Sequence, residues 1–185
     1  MSRRVSIVGM GKLGASMVAG MASRGHQVIG VDVNDAAVDA VNDGRAPVQE
    51  TGLDEMIGAN RSHIRATHSH ADAVLNSEIT FVIVPTPSDE RGAFSLQYAA
   101  YAFREIGRAL AQKPGYHTVV LTSTVLPGAS RYGLIPILER IVGWRTAQIR
   151  ALFESYHLTL HEWEKARFDR VTLRDSPGIA GDAVA

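Results

Sequence analysis

Near its start the chain reads Val5-Ser6-Ile7-Val8-Gly9-Met10-Gly11-Lys12-Leu13-Gly14, and Asp32 closes the next apolar run, Val28-Ile29-Gly30-Val31. An apolar strand, a G-x-G-x-x-G turn that opens a helix, a second strand and then an acid form the fingerprint of a dinucleotide-binding unit. Gly9 permits the tight turn out of the strand, and Gly11 lets the backbone approach a pyrophosphate. Gly14 lets the helix lie close to the sheet.

The same stretch predicts how the ligand is held. Backbone N–H groups of the turn and the positive end of the helix dipole favour a pyrophosphate. Asp32, about 20 residues further on, can accept hydrogen bonds from both hydroxyls of an adenosine ribose. We therefore predict an NAD-binding domain with cofactor contacts from Gly9, Met10, Gly11, Lys12, Leu13, Gly14 and Asp32. The alternatives are a glycine-rich turn without a ligand and, for Lys12, a solvated lysine that touches no phosphate.

Beyond the fingerprint, apolar strands alternate with amphipathic helices. The sequence predicts further strands at 27–31, 64–66, 79–84 and 117–122, and helices over about 13–24, 36–42, 53–59, 71–76, 96–112 and 130–141. In the first helix, Leu13, Met17, Val18 and Met21 are predicted to share one face. This alternation is typical of an α/β fold with a doubly wound parallel sheet of the Rossmann type.

Composition narrows the functional classes. The 185 residues are 45% hydrophobic and 21% charged, which is typical of one soluble globular domain. Because 19 basic and 19 acidic residues cancel, the chain has no electrostatic footprint for nucleic acid or an anionic membrane. The residues after Met-Ser-Arg-Arg form a strand, with neither a leader cleavage site nor a membrane span, so we expect a cytoplasmic protein.

The chain contains no cysteine, which excludes disulfides, thiolate metal sites and a cysteine nucleophile within these residues. Two histidine pairs, His68/His70 and His157/His161, have spacings that a metal could use. Neither pair has a matching third ligand nearby, so we predict no metal site.

Hydroxyl side chains follow two of the predicted strands. They occur in Val84-Pro85-Thr86-Pro87-Ser88 and in Thr122-Ser123-Thr124-Val125-Leu126-Pro127-Gly128. In a doubly wound sheet, ligands bind beyond the carboxyl ends of the strands, so both segments are predicted to face the cofactor. The alternative is ordinary turn and capping chemistry, for which Ser and Thr beside Pro are common.

Together these motifs resemble the N-terminal domain of the UDP-glucose/GDP-mannose dehydrogenase family. The resemblance covers about residues 4–142 and is carried most specifically by the segments 42–53 (Asn-Asp-Gly-Arg-Ala-Pro-Val-Gln-Glu-Thr-Gly-Leu) and 123–128 (Ser-Thr-Val-Leu-Pro-Gly). It disfavours other Rossmann-type dehydrogenases, such as the 3-hydroxyacid class. Members of the family oxidise C6 of a nucleotide sugar from alcohol to carboxylate with NAD, in two hydride transfers.

The resemblance also implies roles for individual residues. Pro85, Thr86, Ser123 and Thr124 would contact the cofactor, the three hydroxyl residues would border the nicotinamide, and Thr124 would help to position groups around C6. Glu50 matches a family acid whose role is either chemical or structural. The chain departs from the family at Ala37, where a basic residue is usual, and at Lys12, where an aromatic residue is common.

The remainder of the family enzyme, with its catalytic cysteine and sugar-nucleotide-binding domain, has no counterpart in these residues. We expect a dinucleotide-binding domain over 1–142 and a C-terminal tail over 143–185 that does not match the family and contains one amphipathic helix. Two functions stay open: the cofactor domain of a nucleotide-sugar 6-dehydrogenase, or a truncated, catalytically silent NAD-binding module. The expected partners are a nucleotide-sugar substrate, a second copy of the chain, or a separately encoded C-terminal half.

Overall fold

The computed structural model describes residues 2–88 and 94–143. Its strands are β1 (Arg4–Val8), β2 (Gln27–Val31), β3 (Ile64–Thr67), β4 (Ile79–Val82) and β5 (Thr118–Leu121). Its α-helices are α1 (Lys12–Ala22), α2 (Asp35–Asn42), α3 (Leu53–Ala59), α4 (His70–Leu75), α5 (Gln97–Gln112) and α6 (Ile135–Val142). The predicted tail helix lies outside the described residues, so the domain boundary at 142/143 stays a prediction.

The chain divides into two compact units. The first comprises Met1–Val84 and Gln112–Thr122, and the second comprises Pro85–Ala111 and Ser123–Ala185. All five strands belong to the first unit and form one sheet in the order β3-β2-β1-β4-β5, with every neighbouring pair parallel. The prediction of a doubly wound parallel sheet is confirmed. The strand order reverses beside β1, which is where ligands bind in such sheets.

Helix α1 packs on this sheet through small residues. Its buried positions are Gly14, Ala15, Val18, Ala19 and Ala22, and Met17 and Met21 pack partly against the same core. The predicted apolar face was wrong at Leu13, whose side chain is 53% exposed. Leu13 lies on the exposed side of α1 with Lys12 and Ser16, whereas the adjacent Gly14 and Ala15 are buried.

The second unit contains α5 and α6. Helix α5 buries one face that includes Phe103 and Ile106, and a Cβ at Gly107 would lie 3.1 Å from the Ile141 side chain of α6. Residues 130–141 were predicted as one helix, but the segment Ala129–Leu134 is a π-helix that precedes α6. Pro136 explains the difference, because it has no N–H for the carbonyl of Tyr132 and its ring crowds that carbonyl in an α-helical turn.

A chain of buried polar side chains crosses the sheet of the first unit. Ser6 Oγ lies 2.9 Å from Ser77 Oγ and 2.6 Å from Thr80 Oγ1, and Thr80 Oγ1 lies 2.8 Å from His117 Nε2. Lys113 Nζ donates to His117 Nδ1 at 3.0 Å and to the carbonyl oxygens of Val74 and Ser77. Since an ammonium can only donate, Nδ1 of His117 accepts and Nε2 carries the proton that is donated to Thr80.

Candidate functional site

Two glycines of the fingerprint are required by packing. Gly9 has φ +96°, and a Cβ there would lie 2.0 Å from the carbonyl oxygen of Ile83. A Cβ at Gly14 would lie 1.8 Å from the carbonyl oxygen of Gly9. Because backbone atoms cannot move away as a flexible side chain can, Gly9 and Gly14 let the strand, turn and helix α1 approach closely.

Gly11 lies in the same turn but has no such packing reason. Its backbone is extended, with φ −68°, and a Cβ built on it would meet nothing within 4 Å. A glycine that borders open space keeps that space free beside the first turn of α1. This is the geometry that a dinucleotide pyrophosphate requires, so the turn fits the cofactor that the sequence predicts.

The N-terminus of α1 carries no side-chain cap, and its first turn contains no acidic residue. By contrast, the side chain of Asn34 caps α2 by accepting from Ala36 N at 3.0 Å, and Ser69 caps α4 by accepting from Asp72 N at 3.1 Å. The first-turn N–H groups of α1 and the helix dipole are therefore available to an anion.

Asp32 lies one residue beyond β2, and its carboxylate is fixed by the backbone. Oδ2 accepts from Met10 N at 2.6 Å, and Oδ1 accepts from Asn34 N at 3.0 Å. A carboxylate has about four acceptor positions, so these two bonds orient Asp32 and leave acceptor capacity for ribose hydroxyls. The structure thus brings Asp32 and the fingerprint turn together.

Met10 and Lys12 differ in what they offer at this turn. The Met10 side chain is buried over β2, so its contribution to a ligand comes from the backbone. Lys12, the first residue of α1, extends an exposed side chain whose ammonium lies 3.0 Å from Glu50 Oε1.

Two contributors to this site were missed by the sequence reasoning. A Cβ at Gly30 would lie 2.3 Å from Met10 Sδ, so Gly30 makes room for Met10. A glycine inside a strand was the available signal, since it marks a close approach. His68 Nδ1 lies 2.8 Å from the Asp32 carbonyl oxygen, and His68 Nε2 lies 3.3 Å from Asp35 Oδ1. No sequence signal linked His68 to the acid, because only the parallel pairing of β2 with β3 brings them together.

The hydroxyl residues Thr86, Ser123 and Thr124 lie in the second unit. Thr86 Oγ1 donates to the carbonyl oxygen of Thr124 at 2.7 Å, so the two segments predicted from sequence are joined there. This bond fixes the Thr86 side chain between Pro85 and Pro87, while the Thr124 side chain is exposed. Ser123, also predicted as a contact, immediately precedes Thr124 and is half-buried.

Within residues 2–88 and 94–143, no group of three or more His, Cys, Asp or Glu side chains could hold a metal ion. His157 and His161 lie outside the described residues. In the same part of the chain, every helix is too short or too polar to cross a membrane.

The sheet order, the glycine turn and the acid after β2 define a dinucleotide-binding domain of the Rossmann type. The chain belongs to the UDP-glucose/GDP-mannose dehydrogenase family, since the family model for its NAD binding domain matches residues 3–151. This match extends a little beyond residue 142, where the resemblance seen in the sequence ends. The cofactor of the domain is NAD.

Individual relatives agree with the family match. GDP-mannose 6-dehydrogenase of Azotobacter vinelandii is 41% identical over 142 residues, which are 76% of this chain and 33% of that protein. UDP-glucose 6-dehydrogenase of Haloferax volcanii is 36% identical over 142 residues, which again are 76% of this chain and 33% of that protein. The chain therefore spans about one third of the length of the relatives that it matches.

Solved structures give the same assignment. GDP-mannose dehydrogenase from Pseudomonas aeruginosa, solved as a ternary complex, has a TM-score of 0.74 and 40% identity, covering 76% of this chain and 33% of that one. UDP-glucose dehydrogenase from Pyrobaculum islandicum has a TM-score of 0.74 and 32% identity, covering 78% and 34%.

Proposed function

We propose that this chain is the NAD-binding domain of a nucleotide-sugar 6-dehydrogenase, which oxidises the C6 alcohol of a GDP-mannose or UDP-glucose type substrate to the acid. The observation that carries the proposal is the open space at Gly11 beside the uncapped start of α1, in a domain of this family. The turn 9–14 would hold the pyrophosphate, and Asp32 would hold the adenosine ribose. NAD supplies the hydride acceptor when bound.

The remaining proposed contacts are those that the family resemblance implies. Thr86, already tied to the backbone of Thr124, would border the nicotinamide together with Ser123. The exposed Thr124 hydroxyl would be an auxiliary group near the reacting C6. Both segments are short and anchored by proline, which limits their conformations and suits them to position a ligand.

A second candidate is a catalytically silent NAD-binding module, and the observation that favours it is the absence of cysteine from all 185 residues. Oxidation to the acid through a covalent thiol adduct needs a nucleophile that this chain does not supply. In this case the 185 residues would bind NAD, and the cysteine for the oxidation would have to come from outside them.

Turnover by the purified chain tests the silent module. We expect isothermal titration to show NAD binding and a coupled absorbance assay to show no formation of two NADH per sugar from GDP-mannose or UDP-glucose. The physical reason is that the 185 residues contain no cysteine to form the thiol adduct. Production of two NADH per sugar without a partner protein would contradict the silent module, and failure to bind NAD would contradict both candidates.

Cofactor choice gives a further prediction: the chain binds NAD more tightly than NADP. A 2′-phosphate would face the Asp32 carboxylate, with Asp35 nearby and no arginine between Asp32 and Arg45 in the sequence. Charge repulsion and the loss of ribose hydrogen bonds should weaken the binding of NADP, relative to NAD, by about 1–3 kcal/mol, or roughly 5- to 150-fold in Kd.

Titration of the Asp32→Asn and Asp32→Ala variants with both cofactors tests this assignment. Asp32→Asn removes the charge and keeps an acceptor oxygen for Met10 N or for Asn34 N but not for both, so it should narrow the NAD preference with less damage to the turn than Asp32→Ala, which keeps neither bond. Equal or tighter binding of NADP by the wild-type chain would show that Asp32 does not face the 2′ position.

A further inference from the structure

The segment between α2 and α3, residues 45–52, lies beside the start of α1 in the first unit. We refer to it as the 45–52 loop. A cavity of about 620 Å³ is lined by Lys12, Asp54 and the loop residues 46–51. Lys12 is the one member of this lining that belongs to the fingerprint turn. The cavity therefore places the loop next to the end of α1 that would bind the pyrophosphate.

The 45–52 loop has a defined conformation. Ala46 N donates to Asp54 Oδ1 at 2.8 Å, and Leu53 N donates to the Glu50 carbonyl oxygen at 3.2 Å. Gly52 ends the loop with φ +73°, a conformation that favours glycine. Val48 is partly buried and packs against the hydrophobic core. The bond from Leu53 N to the Glu50 carbonyl oxygen helps to hold the loop backbone from which the Glu50 carboxylate reaches Lys12.

The ion pair between Lys12 Nζ and Glu50 Oε1 measures 3.0 Å, with side chains 79% and 37% exposed. An exposed pair of this kind contributes little to stability, so its energetic effect is small unless a third charge arrives. The site proposed for NAD brings that third charge, because its diphosphate would bind at the first turn of α1, where Lys12 is the first residue.

We propose that Glu50 limits the affinity of the domain for NAD by competing with the diphosphate for the Lys12 ammonium. This inference rests on the proposed NAD site at the turn 9–14. In the free domain Lys12 pairs with Glu50. On binding, the flexible lysine stem turns its ammonium to the diphosphate, which breaks the pair and leaves the Glu50 carboxylate beside added negative charge.

Competition for Lys12 and simple charge repulsion by Glu50 would affect NAD affinity differently. Replacing Glu50 by Gln always removes a negative charge near the diphosphate. If NAD binding also breaks the ion pair between Lys12 and Glu50, the wild-type chain has to break that pair and the Glu50→Gln variant does not. The gain in NAD affinity from Glu50→Gln must therefore be larger when Lys12 is present than when it is replaced by Met, which is a coupling between the two positions.

The experiment is a double-mutant cycle on the 185-residue chain, with NAD binding measured by titration calorimetry at about 20 mM and about 500 mM salt. At low salt we expect Glu50→Gln to lower Kd roughly 3- to 5-fold with Lys12 present and no more than about 1.5-fold in the Lys12→Met background. At high salt the difference should largely disappear. Lys12→Arg should retain the coupling, and Glu55→Gln, which removes an exposed acid outside the cavity, should leave Kd within about 1.5-fold.

Each other outcome has a defined meaning. An equal gain in both backgrounds, or weaker binding after Glu50→Gln in the Lys12 background, overturns the competition while the NAD site stands. A coupling that does not respond to salt assigns the effect to loop structure and also overturns it. A wild-type chain that binds no NAD removes the proposed function and this inference with it.

Discussion

Replacing Gly11 by Val is expected to abolish NAD binding while the domain stays folded. A Cβ at Gly11 meets nothing within 4 Å, so the valine enters open space in the ligand-free domain. That space is the proposed position of the pyrophosphate. Losing two hydrogen bonds to its charged oxygens should cost at least about 3 kcal/mol, which is a factor of about 150 in Kd.

Gly20→Val provides the matched control. Gly20 belongs to the same helix, and a Cβ there also meets nothing within 4 Å, but it lies more than two turns from the start of α1. This variant should bind NAD within about 2-fold of wild type. Titration with NAD and urea unfolding followed by circular dichroism are the two measurements. A folded Gly11→Val variant with wild-type affinity would show that the glycine turn does not hold the pyrophosphate.

Much of the first unit follows from local sequence. The predicted alternation of apolar strands with helices agrees with the structure, and Gly25 and Gly44 have positive φ in the turns that follow α1 and α2. The residues of α3 were predicted without error at either end, because Gly52 precedes the helix and a polar segment follows it. Local signals suffice where a cap or a glycine sets the boundary.

Predictions failed where neighbours, rather than local preference, set the structure. The apolar run 79–84 predicted a strand two residues longer than β4, yet the paired residues of β4 end at Val82, opposite Val8 of β1 and Leu121 of β5. The strand register ends at Val82, although Ile83 N still donates to the carbonyl oxygen of Val8 at 2.8 Å. The length of β4 is thus set by how far the neighbouring strands β1 and β5 extend beside it.

The buried polar chain shows the same limit more clearly. Ser6 and Thr80 are register partners across β1 and β4, and His117 precedes β5. In the sequence each of these looks like an isolated polar residue within or beside an apolar run. Only the strand register shows that they satisfy one another, so the sequence could predict the cofactor turn but not this network.

A second large effect is expected from pH, because the fold keeps His117 neutral. Burial lowers the pKa of His117 from 6.5 to about 4, and the positive charge of Lys113 contributes to the decrease. A hydrogen bond with the backbone of Ser77 acts in the opposite direction. Protonation would also place a proton on Nδ1, which accepts from Lys113. Burial likewise lowers the pKa of Lys113, with Arg4 adding to the shift and Glu78 opposing it.

The linkage between protonation and folding determines whether stability rises or falls with pH. Because the folded pKa of His117 lies below the unfolded value, the unfolded state binds a proton first as the pH falls. The stabilisation from neutral His117 is complete above about pH 6.5 and is lost between about pH 6.5 and pH 4. Over the whole window this amounts to about 3 kcal/mol, with about 2 kcal/mol already lost at a pH near 4.5.

Urea unfolding of the wild-type chain and of His117→Gln at pH 7 and near pH 4.5 tests this. The variant is expected to be less stable at pH 7, because Thr80 and Lys113 lose a buried partner, but its loss of stability on acidification should be smaller than that of wild type by about 2 kcal/mol. Tyr116→Phe, an exposed change one residue away, should keep the wild-type pH dependence. If His117→Gln and wild type lose the same stability between the two pH values, the histidine is not held neutral by the fold, and acid unfolding must arise from the carboxylates instead.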